Sequence, residues 1–387
     1  MLRRSPRVLY NRLMWRAAFD YVIERDPHQP MLIVEFQRMT RVLQVDSLQA
    51  HARPDSLRAL VGNPLQLSTL GFGAAAIGNL YTAVDDEVAE SAIFEAVRQG
   101  MRYFDTAPYY GYGLSERRLG RALAQLPREG VVISTKVGRL IVAEQSDQPP
   151  ADGYAVSGHR AVFDYSRNGI LRSFESSLER LGRDQVDILL LHDLGRATHA
   201  DLHEARLKQA LDEALPAMAQ LKAEGACRAI GIGVNEEAVC LELMPRFDLD
   251  CILLAGRYTL LEQASLNGVM AQAQRRGVGI IVGGPFNSGL LANAHAPGET
   301  YDYRPVDEHT MQRARGLYAL CAAEGIDVGA AALQFALAHP AVVSVVAGMR
   351  SAAEVLSAID RMRTAIPAAL WQGLRAAGFL LSGVPTP

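Results

Sequence analysis

Val131-Val-Ile-Ser-Thr-Lys136 and Asp187-Ile-Leu-Leu-Leu-His192 are short apolar runs that each end on an ionisable side chain. Their length, aliphatic composition and lack of alternation fit strands buried on both faces, as in parallel sheets. Two further segments have the same form, Arg102-Tyr-Phe-Asp-Thr-Ala-Pro-Tyr-Tyr110-Gly and Arg228-Ala-Ile-Gly-Ile-Gly-Val-Asn235. In the four, Asp105, Lys136, His192 and Asn235 stand where the strand finishes, positions that burial of the run does not explain.

Working outward, apolar runs near 69–73, 102–106, 131–136, 186–191, 228–233, 251–254, 278–282 and 342–346 predict strands. Amphipathic stretches near 85–100, 114–125, 167–182, 207–224, 236–244, 260–276, 307–324 with 328–338, and 351–364 predict helices. Asp85-Asp86 opens the first helix and Gly100 ends it; Ser166 caps the third and Gly182 stops it. Eight β-then-α units predict an α/β fold, a parallel sheet closed into a (β/α)8 TIM barrel. A doubly wound Rossmann sheet is the competing arrangement, but Gly71-Phe-Gly-Ala-Ala-Ala after the first strand lacks the GxGxxG continuation. Ahead of the barrel, Leu57–Val61 and Leu65–Ser68 flank the turn-forming Gly62-Asn63-Pro64 and predict a β-hairpin.

Residues 1–54 differ in character, with Arg3, Arg4, Arg7, Arg12 and Arg16 followed by a Pro-broken acidic patch, and are expected to form a poorly ordered N-terminal extension. Residues 55–387 then form the barrel domain. The chain is 49% hydrophobic and 21% charged, which suits a large buried core. A net charge of −3 gives no general pull toward nucleic acid or an anionic membrane. No apolar run reaches the roughly 20 residues that span a bilayer, and the basic start lacks the apolar core of a secretory signal. Cytoplasmic placement is therefore the expectation. Cys227, Cys240, Cys251 and Cys321 show no CxxC spacing and are expected to be buried thiols, with no metal site.

Asp105, Tyr110, Lys136 and His192 together suggest chemistry. A tyrosine titrates near 10, and a lysine ammonium held beside it favours the phenolate. A carboxylate keeps that ammonium in place, and a histidine orients a substrate oxygen. Such a set suits proton transfer at an oxygen while a hydride moves at the attached carbon. Tyr109 and Tyr112 compete with Tyr110 for the acid/base role.

From about residue 57 to 380 the chain resembles the aldo-keto reductase superfamily. The resemblance rests on Phe104-Asp-Thr-Ala-Pro-Tyr-Tyr110-Gly-Tyr-Gly-Leu-Ser-Glu116, Ser134-Thr-Lys136 and Leu190-Leu-His192. It implies a (β/α)8 barrel with Tyr110 as general acid/base, Lys136 and Asp105 as its tuners and His192 directing the substrate. It also implies a nicotinamide dinucleotide bound in extended form across the barrel mouth, for which no GxGxxG is needed. Asn235 matches the family's ligand to the nicotinamide carboxamide, although its usual serine neighbour is Val234 here. The family's aromatic platform under the nicotinamide falls on Gly283, leaving Phe286 as the nearby substitute. Pro285, Phe286 and Ser288 belong to the loop that lends backbone groups to the pyrophosphate. Gly348, Arg350 and Glu354 belong to the loop that resembles the adenosine-ribose site. NADP-preferring members carry an arginine where Glu354 stands, so NAD is expected, with NADP possible through Arg350. The family's adenine-contacting asparagine is Ala358 here.

Gly78-Asn-Leu-Tyr81, Gly231-Ile-Gly-Val-Asn-Glu236 and Gly283-Gly-Pro-Phe-Asn-Ser-Gly289 are most similar to the branch of L-fucose, D-threo-aldose 1- and L-galactose dehydrogenases, with a related pyridoxal 4-dehydrogenase. That similarity implies oxidation of a small-molecule aldose at C1 to the lactone, with Tyr110 as base and NAD as acceptor. An NADPH-dependent aldehyde or ketone reductase, a pyridoxal 4-dehydrogenase and a non-catalytic nucleotide-binding subunit are the alternatives. Segments 138–165, 193–206 and 285–306 are expected to wall the pocket, with Asp193, Arg139 and Tyr154 touching sugar hydroxyls.

Overall fold

In the computed structural model, eight parallel strands close on themselves: β1 (Leu70–Gly73), β2 (Tyr103–Asp105), β3 (Val132–Val137), β4 (Ile188–His192), β5 (Ala229–Val234), β6 (Cys251–Ala255), β7 (Gly279–Gly283) and β8 (Val342–Gly348). Each strand pairs with its neighbours in chain order, and β8 returns to β1, so the sheet has no free edge. The structure describes residues 54–146, 148–149, 152–302 and 304–387. The expected extension over 1–54 lies, but for Pro54, outside the described residues.

Side chains on a strand alternate between faces. In β3, Ile133 joins the outer core beneath the helices, whereas Val132 joins the cluster inside the barrel. The same alternation sends Ser134 and Lys136 inward. In β2 it sends Tyr103 and Asp105 inward, and in β4 Ile188, Leu190 and His192. Strand period thus directs the three ionisable strand ends to one interior.

The interior is closed at its N-terminal end by the predicted hairpin, with Leu57–Ala59 antiparallel to Gln66–Ser68. Leu60, Leu65 and Leu67 are buried in the same cluster as Tyr103, Ile188 and Ile281. Gly279 makes room for the plug, since a Cβ there would lie 2.5 Å from Leu60 Cδ2.

The outer layer follows the predicted order, with local corrections. Ser166 accepts the Gly169 N–H at the start of Arg167–Leu181, and Gly182 ends that helix in the left-handed region at φ 60°. The helix predicted over 207–224 begins earlier, at His203, and is interrupted by a π-turn at Ala210–Ala214. The stretch 260–276 is a 3₁₀ turn at Ala264–Asn267 followed by a helix at Val269–Arg276, because Gly268 breaks the pattern. A final helix, Ala368–Ala376, carries Leu370, Trp371 and Leu374 into the core and had no predicted counterpart. Segment 138–165 is no open loop: Arg139–Ala143 pairs antiparallel with His159–Phe163. Alternation is weak in both of its strands, so the pattern left them unread.

All four cysteines are buried and unbridged, and burial pushes the Cys227 and Cys321 thiols up to about 12. Among the described residues no single helix is long and apolar enough to cross a membrane.

Leu65→Ala should lower stability by about 2–4 kcal/mol, since the plug cannot collapse into the space left inside a closed barrel. Urea unfolding would measure it; a change under 0.5 kcal/mol would contradict the packing described.

Candidate active site

The site is built around one buried ammonium. Lys136 is 1% exposed. Its Nζ donates to Asp105 Oδ1 at 3.0 Å and Oδ2 at 2.7 Å, to Thr106 O at 2.9 Å and to Tyr110 Oη at 3.0 Å. Asp105 is held in turn by the Ser134 hydroxyl at 2.7 Å, and Ser134 lies 2.9 Å from Tyr103 Oη. Lys136 fits because β5 is bare on its inner face: a Cβ on Gly233 would lie 3.1 Å from Lys136 Cε.

Tyr110 is half-buried on the turn after β2, and its ring lies edge-on to His192 with centroids 6.0 Å apart. Tyr109 and Tyr112 are placed otherwise. Tyr109 stacks on the Arg139 guanidinium at 4.0 Å, and burial raises its phenol to about 12. Tyr112 donates its hydroxyl to Asp152, and burial and that carboxylate push its phenol up. Of the three, Tyr110 is the one bonded to the ammonium among the described contacts.

Outside the barrel wall a second buried network braces the same loop. Glu116 is fully buried, accepts the Thr135 hydroxyl at 2.6 Å and pairs with Arg180 at 2.6 Å. The Ser115 hydroxyl donates to Ala74 O at 2.7 Å and lies 2.8 Å from Thr106 Oγ1. These contacts explain why Ser115, Glu116 and Thr135 accompany the reactive residues.

His192 is buried, and its Nδ1 has no hydrogen-bond partner. Burial, with Arg139 and Lys136 adding to it, holds its pKa well below the ordinary histidine value, so the ring is neutral. Asp193 follows it, with Oδ2 3.5 Å from His192 Nε2, and is ion-paired with Arg139. Burial pushes the Asp193 carboxyl up, against the lowering pull of Arg139 and Lys136.

A groove of about 580 Å³ leads from Tyr110 and Asp105 across the strand ends. Asn235, Pro285, Phe286, Ser288, Gly348, Arg350 and Glu354 all line it; His192 and Lys136 do not. Arg350 donates its backbone N–H to Glu354 Oε2 at 2.9 Å, and its guanidinium lies 3.1 Å from Glu354 Oε1. Phe286 meets a cation: Arg361 lies 5.4 Å from its ring centroid and is itself paired with Asp327 at 2.8 Å. At Gly283 a Cβ would come within 3.1 Å of Leu253 and 3.3 Å of Ala255, so an aromatic there would have to displace β6 side chains. Asn287 was missed from sequence. It lines the groove, is 3% exposed, and neither amide atom has a partner. The sequence shows an asparagine within the Gly-rich stretch Gly283–Gly289 but nothing of its partners. A long groove with an unpaired amide in its wall fits a polar, extended ligand such as a nicotinamide dinucleotide.

The aldo/keto reductase family model matches residues 69–377. The chain belongs to the aldo/keto reductase family. It is 38% identical over 342 residues to a pyridoxal 4-dehydrogenase of Microbacterium luteolum, covering 85% of this chain and 99% of the relative. It is 37% identical to a D-threo-aldose 1-dehydrogenase of a Pseudomonas species, covering 84% and 96%. An L-galactose dehydrogenase of Arabidopsis thaliana is 32% identical, with 77% and 85% covered. Among solved structures, an aldo-keto reductase of Bacillus halodurans in its holo form superposes with a TM-score of 0.66 at 25% identity, covering 85% and 97%. This aldo/keto reductase is therefore an NAD(P)-dependent oxidoreductase acting on small molecules.

Two outcomes follow for its buried charges. Lys136→Met should cost about 3–5 kcal/mol, because it strands the Asp105 carboxylate in the interior. Adding Asp105→Asn should recover most of that stability but none of the turnover, as read by urea unfolding beside NAD-linked absorbance. Equal stability of the single and double variants would contradict the pairing. The folded pKa of His192 lies below its unfolded value, so the unfolded chain binds more protons between the two, and stability is lost as pH falls below about 6.5. His192→Gln should flatten the dependence of the urea midpoint between pH 7 and 5, though not abolish it. His199 and His339, also held low by burial, act in the same direction. Parallel profiles for wild type and variant would contradict this.

Proposed function

We propose that this enzyme carries out the NAD-dependent oxidation of an aldose at C1, taking the cyclic hemiacetal to the lactone with Tyr110 as general base. The observation that carries this reading is the Lys136 ammonium shared between the Asp105 carboxylate and the Tyr110 oxygen. A cation 3.0 Å from the phenol oxygen stabilises the phenolate. Tyr110 then takes the proton of the anomeric hydroxyl as the C1–O bond becomes a carbonyl. The neutral His192 bonds the same oxygen without competing for the proton. A nicotinamide ring bound in the groove supplies the hydride acceptor.

The relatives support the reacting group more than any single substrate. Two are named for aldose or galactose oxidation and one for pyridoxal. An aldose and pyridoxal each hold an aldehyde within reach of their own hydroxyl, so both close to cyclic hemiacetals. Pyridoxal is the second reading, supported by the relative named for it.

The preference for NAD rests on the far end of the groove. Arg350 and Arg361 both line it, and both are paired to carboxylates, Glu354 and Asp327. Neither is left to neutralise a 2′-phosphate, and Glu354 itself repels one.

Absorbance at 340 nm with L-fucose, D-arabinose, L-galactose and pyridoxal tests the reading. With NAD, at least one should turn over with kcat/KM at least ~10-fold above that with NADP, a gap worth about 1.4 kcal/mol. Tyr110→Phe should lose at least ~100-fold in kcat while still binding NAD. Full turnover by Tyr110→Phe would sink the mechanism, and a preference for NADP would sink the role given to Glu354.

A further inference from the structure

We propose that the Arg139–Asp193 ion pair reads a hydroxyl on the sugar ring beside the reacting carbon, and so selects polyhydroxylated hemiacetals over bare ones. The inference rests on the hemiacetal oxidation proposed above and adds to it the residues that set its specificity.

Arg139 enters from the hairpin after β3, and its guanidinium is clamped between the Tyr109 ring at 4.0 Å and the Phe163 ring at 4.6 Å. Asp193 lies directly beyond β4. The two side chains are 11% and 16% exposed. A largely buried ion pair is a poor stabiliser, because desolvation offsets most of the attraction. Its geometry is nevertheless tightly enforced. Asp193 is held at φ 48°, a region that disfavours residues with a Cβ. Its carbonyl accepts Tyr165 Oη at 2.9 Å and lies 3.0 Å from His199 Nε2, and its N–H donates to Gly233 O at 3.0 Å. These backbone contacts fix the direction in which the Asp193 side chain leaves the chain.

That position adjoins the chemistry. Asp193 Oδ2 is 3.5 Å from His192 Nε2, so a substrate oxygen on His192 brings the neighbouring ring hydroxyl toward the pair. The Arg139 side chain keeps 11% of its surface exposed, which leaves guanidinium donors beside one carboxylate. A hydroxyl satisfies both, accepting from the guanidinium and donating to Asp193. Asp193 also lines an open hollow of about 670 Å³ that meets the cofactor groove at Asn235 and Asp302, which line both. Glu236, Arg257 and Asp302 supply further acceptors and donors there, room and chemistry for the rest of a sugar. A site built to bond a hydroxyl rejects the analogue that lacks it, because its own buried groups are then unpaired.

The test is a specificity ratio, kcat/KM for an aldose (L-fucose, D-arabinose or L-galactose) over kcat/KM for 2-hydroxytetrahydropyran, a cyclic hemiacetal with no other hydroxyl. The full chain is assayed with NAD, with NAD affinity by calorimetry as a check on folding. Asp193→Asn should lower the ratio by at least ~10-fold, the loss of one hydrogen bond to a charged group. Arg139→Met should lower it similarly, and Arg139→Lys should restore part of it. A pair that merely fastens the hairpin would lower both substrates together; an unchanged ratio therefore overturns the inference. Wild type that oxidises 2-hydroxytetrahydropyran but no aldose overturns it too, while leaving hemiacetal oxidation in place. Wild type that binds NAD and oxidises neither overturns the proposed function itself.

Discussion

A lysine ammonium in the interior of a closed barrel is the constraint on which the rest depends. An unpaired charge there is prohibitively costly, so every donor of Lys136 must be met. Asp105 and the Thr106 carbonyl meet two of them with near-ideal distances, and the remaining direction ends on Tyr110 Oη. Ser134 and Tyr103 then satisfy the carboxylate from behind. The ion pair is weak as a source of stability, but it fixes the distance from ammonium to phenol without help from a substrate. That is preorganisation of the kind that supports proton transfer.

The barrel makes such a pair possible through two features of β geometry. Alternation along β2, β3 and β4 turns Asp105, Lys136 and His192 inward together, and parallel register steps them two residues per strand, Asp105 lying opposite Ser134 and Lys136 opposite Leu190. The facing strand contributes space: Gly231 and Gly233 on β5 leave the interior open where a side chain would strike Cys251 O at 2.0 Å or Lys136 Cε at 3.1 Å. The reactive loop is also gripped from outside through Glu116 and Arg180, so Tyr110 sits between two buried networks.

What was legible in the sequence follows from these rules. Eight strands and the plug hairpin could be read because each is a short apolar run bounded by turn residues, and the meeting of Asp105, Tyr110 and Lys136 because they sit at or just beyond strand ends. The hairpin Arg139–Phe163 was not legible, since its residues are half-exposed and carry no clean alternation. The π-turn at Ala210–Ala214 was hidden because one extra residue per turn barely disturbs an apolar stripe. Asn287 was hidden for a different reason: its significance lies in an amide left without partners, which only three-dimensional neighbours reveal.

The two ends of the groove follow different physical logic. At Lys136 and Asp105 the charges are buried and mutually saturated, so removing either one alone is costly. At Arg350 and Glu354 the pair is 38% and 43% exposed, where an ion pair is worth little to stability. Changing a charge there carries a small structural cost. The Arg139–Asp193 pair stands between these extremes: largely buried, but outside the network that holds Lys136. Either pair can therefore vary without touching the contacts that hold Lys136.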